Sequence, residues 1–153
     1  FFDGWLTDGG ANGDAGASYW QMERSYWAAR GQANMLLVHY ADLKADLAGE
    51  IARIAAYLEI ALPAATLEAL TRAAEFEAMR ADGAALMPGA EAAWQGGSQR
   101  FLYKGVNGRW QGVFSEDQLA AYAAKVQAEF TPALAAWLAG GRLAAGDPAT
   151  AAD

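Results

Sequence analysis

Cysteine is absent from this 153-residue chain, and histidine occurs once. No disulfide or thiolate metal site can form, and one imidazole cannot assemble a zinc cluster. Cations are scarce too: 11 Lys and Arg face 18 Asp and Glu, giving a formal net charge of -7. That balance speaks against broad nucleic-acid binding and against a polybasic membrane footprint. No apolar run approaches the roughly 20 residues that span a bilayer. Neither GxxxxGK[ST] nor G-x-S-x-G occurs, so P-loop phosphoryl transfer and serine-hydrolase chemistry lack support within these residues. Freedom from Cys fits a reducing compartment, and a cytoplasmic location is expected.

What is present suffices for one ordinary domain, since 54% of the residues are hydrophobic. Residues 7–17 are rich in Gly, Asp and Asn, as a loop is. Ser18 then predicts a helix with Gln21 closing a capping box, apolar positions at Tyr19, Met22, Tyr26 and Ala29, and a stop at Gly31. Met35 to Tyr40 is short, continuous and apolar, and reads as a buried parallel strand. Helices are predicted from about Asp46 to Leu58 and after Pro63, the latter with Leu67, Leu70 and Ala74 inward. Residues 82–112 show no periodicity and read as a long connection, functional or disordered. Ser115 with Gln118 opens another capped helix, with Leu119, Tyr122, Val126 and Phe130 facing inward. Thr131-Pro132 starts a short one carrying Leu134, Trp137 and Leu138. Residues 140–153 are expected to fray, leaving 1–139 as the domain. One strand cannot make a sheet, which suggests that its partners lie elsewhere.

The stretch from Arg100 to Gln111 stands out. No Asp or Glu occurs between Ala92 and Ser115, yet Arg100, Lys104 and Arg109 all do. Closely spaced glycines let a backbone approach a ligand, and free N–H groups beside a Lys suit a phosphate. The plain alternative is a solvated surface loop.

The wording of this stretch, Tyr103-Lys104-Gly105-Val106-Asn107-Gly108-Arg109-Trp110-Gln111, resembles the RKGxxGDWK motif of the PAPS-dependent sulfotransferases. Three further segments follow in that family's order. Ala17-Ser18-Tyr19-Trp20 with Arg24-Ser25-Tyr26-Trp27 is similar to its GSWFxHVRSWW helix. Met35 to Lys44 is similar to its VLxLxYEDLK strand and turn, and Glu75-Phe76-Glu77-Ala78-Met79-Arg80 to its SFxxMK segment. The likeness runs from about Phe1 to Phe130.

The resemblance implies an α/β, P-loop sulfotransferase fold, of which this chain is the mostly helical C-terminal portion with one central strand near 35–40. It implies transfer of a sulfuryl group from PAPS (3′-phosphoadenosine 5′-phosphosulfate) to the hydroxyl or amine of a small-molecule acceptor. Tyr40, Phe76, Phe101, Leu102, Tyr103, Lys104 and Gly105 then hold the nucleoside and its 3′-phosphate. The catalytic His of the family lies upstream of anything matched here, so no catalytic residue is assigned and the chain alone is expected to be inactive. His39 reads as structural, and Asp42 as a cap for the turn that follows it. Departures matter: Tyr103 replaces an Arg, Ala74 a Thr that faces adenine, and the family's dimer motif is lost at Gln111, Ser115-Glu116 and Ala120. Those losses leave a degenerate, non-catalytic helical interaction module as the second expectation.

Overall fold

The computed structural model describes residues 2–10 and 16–153. Residue 1 and residues 11–15, within the loop expected at 7–17, lie outside that description. The first helices are α1 (Phe2–Asp8), α2 (Tyr19–Ala29), α3 (Tyr40–Ala45), α4 (Leu47–Tyr57), α5 (Ala64–Ala74) and α6 (Phe76–Ala81). There follow α7 (Gly83–Leu86), α8 (Ala90–Ala93), α9 (Gly97–Phe101), α10 (Glu116–Glu129), α11 (Pro132–Gly140) and α12 (Arg142–Ala145). The described residues up to Asp42 join Arg109–Asp153 in one compact unit, the terminal unit; Leu43–Gly108 form a second, the central unit.

Local signals set the long helices. Ser18 Oγ accepts the Gln21 N–H at 3.2 Å while Gln21 Oε1 accepts the Ser18 N–H at 3.0 Å. Ser115 and Gln118 repeat the reciprocal pair at 3.2 and 3.1 Å, so both capping boxes are formed. Asp46 caps α4 through the Gly49 N–H at 2.9 Å. Thr131 caps α11, with Pro132 in its first turn where the missing N–H costs nothing.

In the terminal unit Trp20, Trp27, Phe130, Leu134 and Trp137 form the buried core. On α2 the indoles of Trp20 and Trp27, two turns apart, go inside, while Met22 and Tyr26 of the predicted apolar spacing stand nearly half exposed. An indole buries more apolar area than Met and leaves one N–H to place, so it wins the inner face.

The strand expected at 35–40 does not form, and no strand occurs among the described residues. Residues 35–39 run without regular structure and Tyr40 opens α3. A strand exists only through its ladder, and none lies beside this run among the described residues. Leu37 packs on the aromatic core instead. The described chain is therefore helical, where the resemblance implied α/β.

A further expectation changes. Residues 82–112 contain α7, α8 and α9, each too short to show a 3.6-residue pattern. The stretch from 140 carries α12 and a 3-10 turn at Pro148–Thr150. Asp42, 1% exposed, accepts the N–H groups of Arg142 at 2.7 Å and Leu143 at 2.9 Å, capping α12 rather than its own turn. Gly141 makes this possible, at φ +76 with the carboxylate where a side chain would be. Further on, Asp153 accepts from Trp27 Nε1 at 2.7 Å, and Arg30 donates to the Ala151 carbonyl at 2.9 Å. No described helix is long and apolar enough to cross a membrane.

Candidate functional site

The central unit builds the loop singled out above from short pieces tied to one another. Gln99, on α9, accepts from Arg80 Nε at 3.2 Å and donates its amide to the Arg80 carbonyl at 2.7 Å. The pair fastens α9 to the end of α6, the helix that begins with Phe76. Gly83 lies against Ser98 and Leu102, so α7 and α9 approach closely. Leu102 N–H bonds to the Ser98 carbonyl at 2.8 Å, and Tyr103 N–H to the Phe101 carbonyl at 2.9 Å. With φ -81 and ψ 66 at Leu102, this is an inverse γ-turn that redirects the chain out of α9.

Beyond the turn the chain reaches Gly105 at φ +57, with the Phe76 ring where its Cβ would stand. An alanine there would meet both a left-handed backbone and the ring. Gly105 is thus the residue that lets the loop lie on Phe76. Lys104 is exposed, its Nζ 5.1 Å from the centroid of the Tyr103 ring. A cation held over an aromatic face is oriented without being neutralised.

The sequence-predicted residues divide accordingly. Phe76 and Gly105 touch, with Tyr103 and Lys104 adjoining them in the chain. Leu102 is half-buried against Gly83, so its side chain anchors the turn. Phe101 is 57% exposed and leans on Trp94, ring centroids 5.1 Å apart. Tyr40 belongs to the terminal unit, where it lines a cleft of about 540 Å³ with Tyr26, Glu23 and His39 among others. Burial raises the Glu23 carboxyl above its usual range.

His39 is structural, as the sequence suggests. Its Nδ1 accepts the Ala41 N–H at 3.1 Å, so Nε2 carries the proton and donates to the Leu138 carbonyl at 3.1 Å. Its ring meets Trp137 edge-on at 5.2 Å. An imidazole with both nitrogens engaged has no lone pair for a substrate proton.

Sequence reasoning missed Trp94 beside Phe101, and missed that Tyr103 underlies Lys104. Neighbouring aromatic and basic positions carry a signal for the second, since adjacent residues on an extended loop can fold over one another. Nothing in the spacing from 94 to 101 announces the first.

The geometry fits an anion. The exposed Lys104 and glycine backbone lie in a stretch without carboxylates, and the loop rests on an aromatic ring. Comparison with known proteins identifies the family. A family model described as a sulfotransferase domain matches residues 12–135. A glycolipid sulfotransferase of Mycobacterium bovis (strain BCG / Pasteur 1173P2) is 35% identical over 116 residues, which are 76% of this chain and 36% of that protein. A glycolipid sulfotransferase of Mycobacterium tuberculosis (strain ATCC 25177 / H37Ra) gives the same figures. This chain thus spans about a third of the length of the curated relatives it matches. No solved structure matches it. With the family model covering most of the sequence, and the motif loop closed on Phe76, the chain belongs to the sulfotransferase family.

Proposed function

We propose that the chain serves in sulfuryl transfer from PAPS, holding the nucleoside and 3′-phosphate end of the donor. The observation that carries this reading is Gly105 lying on the Phe76 ring beside an exposed Lys104. Lys104 and the backbone N–H groups from Tyr103 to Gly105 are the donors for the 3′-phosphate. Phe76 offers a face for adenine, a contact that tolerates substitution elsewhere on the base. Phe101 completes the set in the central unit, Leu102 acting through its backbone; Tyr40 is the nucleoside contact we propose for the terminal unit. The nucleotide supplies the sulfuryl group when bound; these residues grip its far end. Tyr103 in place of the family Arg removes a bidentate donor, so we expect weaker phosphate affinity than that pattern gives.

The relatives are named for glycolipids, and the acceptor class we propose is a hydroxyl on a lipid-linked small molecule, with an amine as the variant chemistry. The one imidazole is engaged at both nitrogens, so turnover by this chain alone is not expected. We place the protein in the cytoplasm, with neither nucleic acid nor a copy held through the family's dimer motif as partner.

Calorimetric titration with 3′-phosphoadenosine 5′-phosphate tests the reading, on this chain and on the longest natural protein that contains it. Lys104→Ala should weaken binding at least about tenfold, since a hydrogen bond to a charged group contributes about 1.5–3 kcal/mol. Lys104→Arg should retain most of the affinity, and Gly105→Ala should lose it. Absence of binding at millimolar nucleotide would end the enzymatic reading and favour the helical interaction module.

A further inference from the structure

The cleft that holds Glu23 carries a charge that nothing in the terminal unit balances. Among the described residues Glu23 is its one lining carboxylate, and neither Lys nor Arg lines it. The two arginines nearest along the chain are committed elsewhere, Arg24 to Glu129 and Arg30 to Asp153 at 3.3 Å. His39, also in the lining, spends both ring nitrogens on backbone groups. No ion pair among the described residues includes Glu23. Burial meanwhile raises its carboxyl above the usual range. A carboxylate partly withdrawn from water and left unpaired favours a cation brought from outside.

We propose that this cleft binds an organic ammonium ion, its N–H groups on the Glu23 carboxylate and its apolar stem along residues 35–38. The rest of the lining selects an organic cation over a metal ion. A metal ion needs several oxygen ligands, and no three His, Asp or Glu are grouped to hold one among the described residues. Aromatic rings surround the carboxylate instead, from Tyr19, Tyr26, Trp27 and Tyr40. Arg30 already lies over Trp27, its Cζ 4.5 Å from the ring centroid, so one ring of this lining holds a cation on its face. Tyr26 and Tyr40, 48% and 52% exposed, leave their rings open to another. Met35 to Val38 supply the apolar wall, and about 540 Å³ accommodates a small amine. An anion would be repelled by Glu23, and a neutral ligand would leave it unbalanced. The inference goes beyond the sulfotransferase reading and does not rest on it; only casting the amine as the sulfuryl acceptor would.

Calorimetric titration near neutral pH compares phenethylamine with 2-phenylethanol and 3-phenylpropanoate, which share its ring and differ in charge. No nucleotide is present, so failure of the nucleotide reading leaves this result untouched. Phenethylamine should bind at least about tenfold more tightly than the alcohol, with the carboxylate weakest. Glu23→Gln should remove that preference: the amine weakens at least about tenfold while the alcohol stays within about twofold. An amide carries no charge into the partly buried position, so this variant should fold. Tyr26→Ala should weaken the amine about two- to fivefold. Glu68→Gln, at an exposed carboxylate of α5, should move neither ligand beyond about twofold, and it reports any general attraction of cations to an acidic chain. Equal binding of amine and alcohol by the parent overturns the proposal. So does a preference that survives in folded Glu23→Gln, or one that falls equally in Glu68→Gln. The ligand series needs no variant, and it decides the matter if Glu23→Gln does not fold.

Discussion

The terminal and central units hold themselves together in opposite ways. In the terminal unit, three tryptophans, Phe130 and Leu134 are buried around one centre, and several polar contacts join residues about 100 positions or more apart. Asp42 with α12, His39 with Leu138, Trp27 with Asp153 and Arg24 with Glu129 are all of this kind. In the central unit, the described buried residues are Glu50, Ala55, Gly83, Ala90, Gly97 and Ser98, with no large apolar side chain among them. Its buried charge is met locally, Glu50 by Arg53 one turn away at 2.6 Å. Apolar groups there stay exposed: Leu70, Trp94, Phe101, Tyr103 and Val106. A unit built on small residues and short helices can give loop surface to a ligand. A unit built on indoles supplies rigidity. The candidate phosphate loop belongs to the first kind.

The contrast breaks most easily at its strongest point. Leu134 is 2% exposed inside the aromatic core, and Leu134→Ala should cost about 3 kcal/mol in urea unfolding through lost transfer energy and a residual cavity. Leu70, in α5, is 45% exposed, and Leu70→Ala should cost about 1 kcal/mol or less. Equal losses would show that stability is spread evenly and that the distinction drawn from burial is empty.

Next in size is the long-range polar tie. Asp42→Ala leaves the N–H groups of Arg142 and Leu143 without the acceptor they share, and should cost about 2 kcal/mol. Asp42→Asn keeps one carbonyl oxygen and should lose about half as much. Limited proteolysis supplies the second readout, because residues 142–153 should become cleavable in the alanine variant. A tail cut at the parent rate would mean that α12 does not depend on Asp42.

These two tests touch features of different legibility. The caps were readable because donor and acceptor lie three residues apart: Ser18 with Gln21, Ser115 with Gln118, Asp46 with Gly49. The Lys104–Gly105 loop was readable for the same reason, as glycine, cation and missing acid are local properties. Asp42 was not, since its partners stand 100 and 101 positions away. Nor was the outcome at 35–39, where apolar content allows a strand but only a neighbouring strand makes one. On α2 period alone left two stripes, and the inner face fell to the indoles that pack with Phe130, Leu134 and Trp137. Phe76 and Gly105 were paired through the family resemblance; no spacing rule brings residues 29 positions apart into contact.

The smallest effect concerns pH, and it sharpens the account of the aromatic unit. Burial, reinforced by Tyr122 and then Glu23, pushes the Tyr19 phenol up to about 12 from its ordinary 10.0. Burial raises Tyr122 as well. A phenol whose folded pKa is raised keeps its proton in the native state while the unfolded chain ionises. Its contribution is therefore fully present below pH 10 and is lost as pH rises from 10 toward about 12. Tyr19 is half-buried, so solvent screening holds the effect to about 1 kcal/mol or less between about pH 9 and pH 11. Two measurements check it: an ultraviolet phenolate titration with a late step that Tyr19→Phe removes, and urea midpoints at both pH values. If Tyr19→Phe loses as much stability on alkalinisation as the parent, the alkaline sensitivity has another source. The indole cluster would then be packing tightly without excluding solvent from its tyrosine edge.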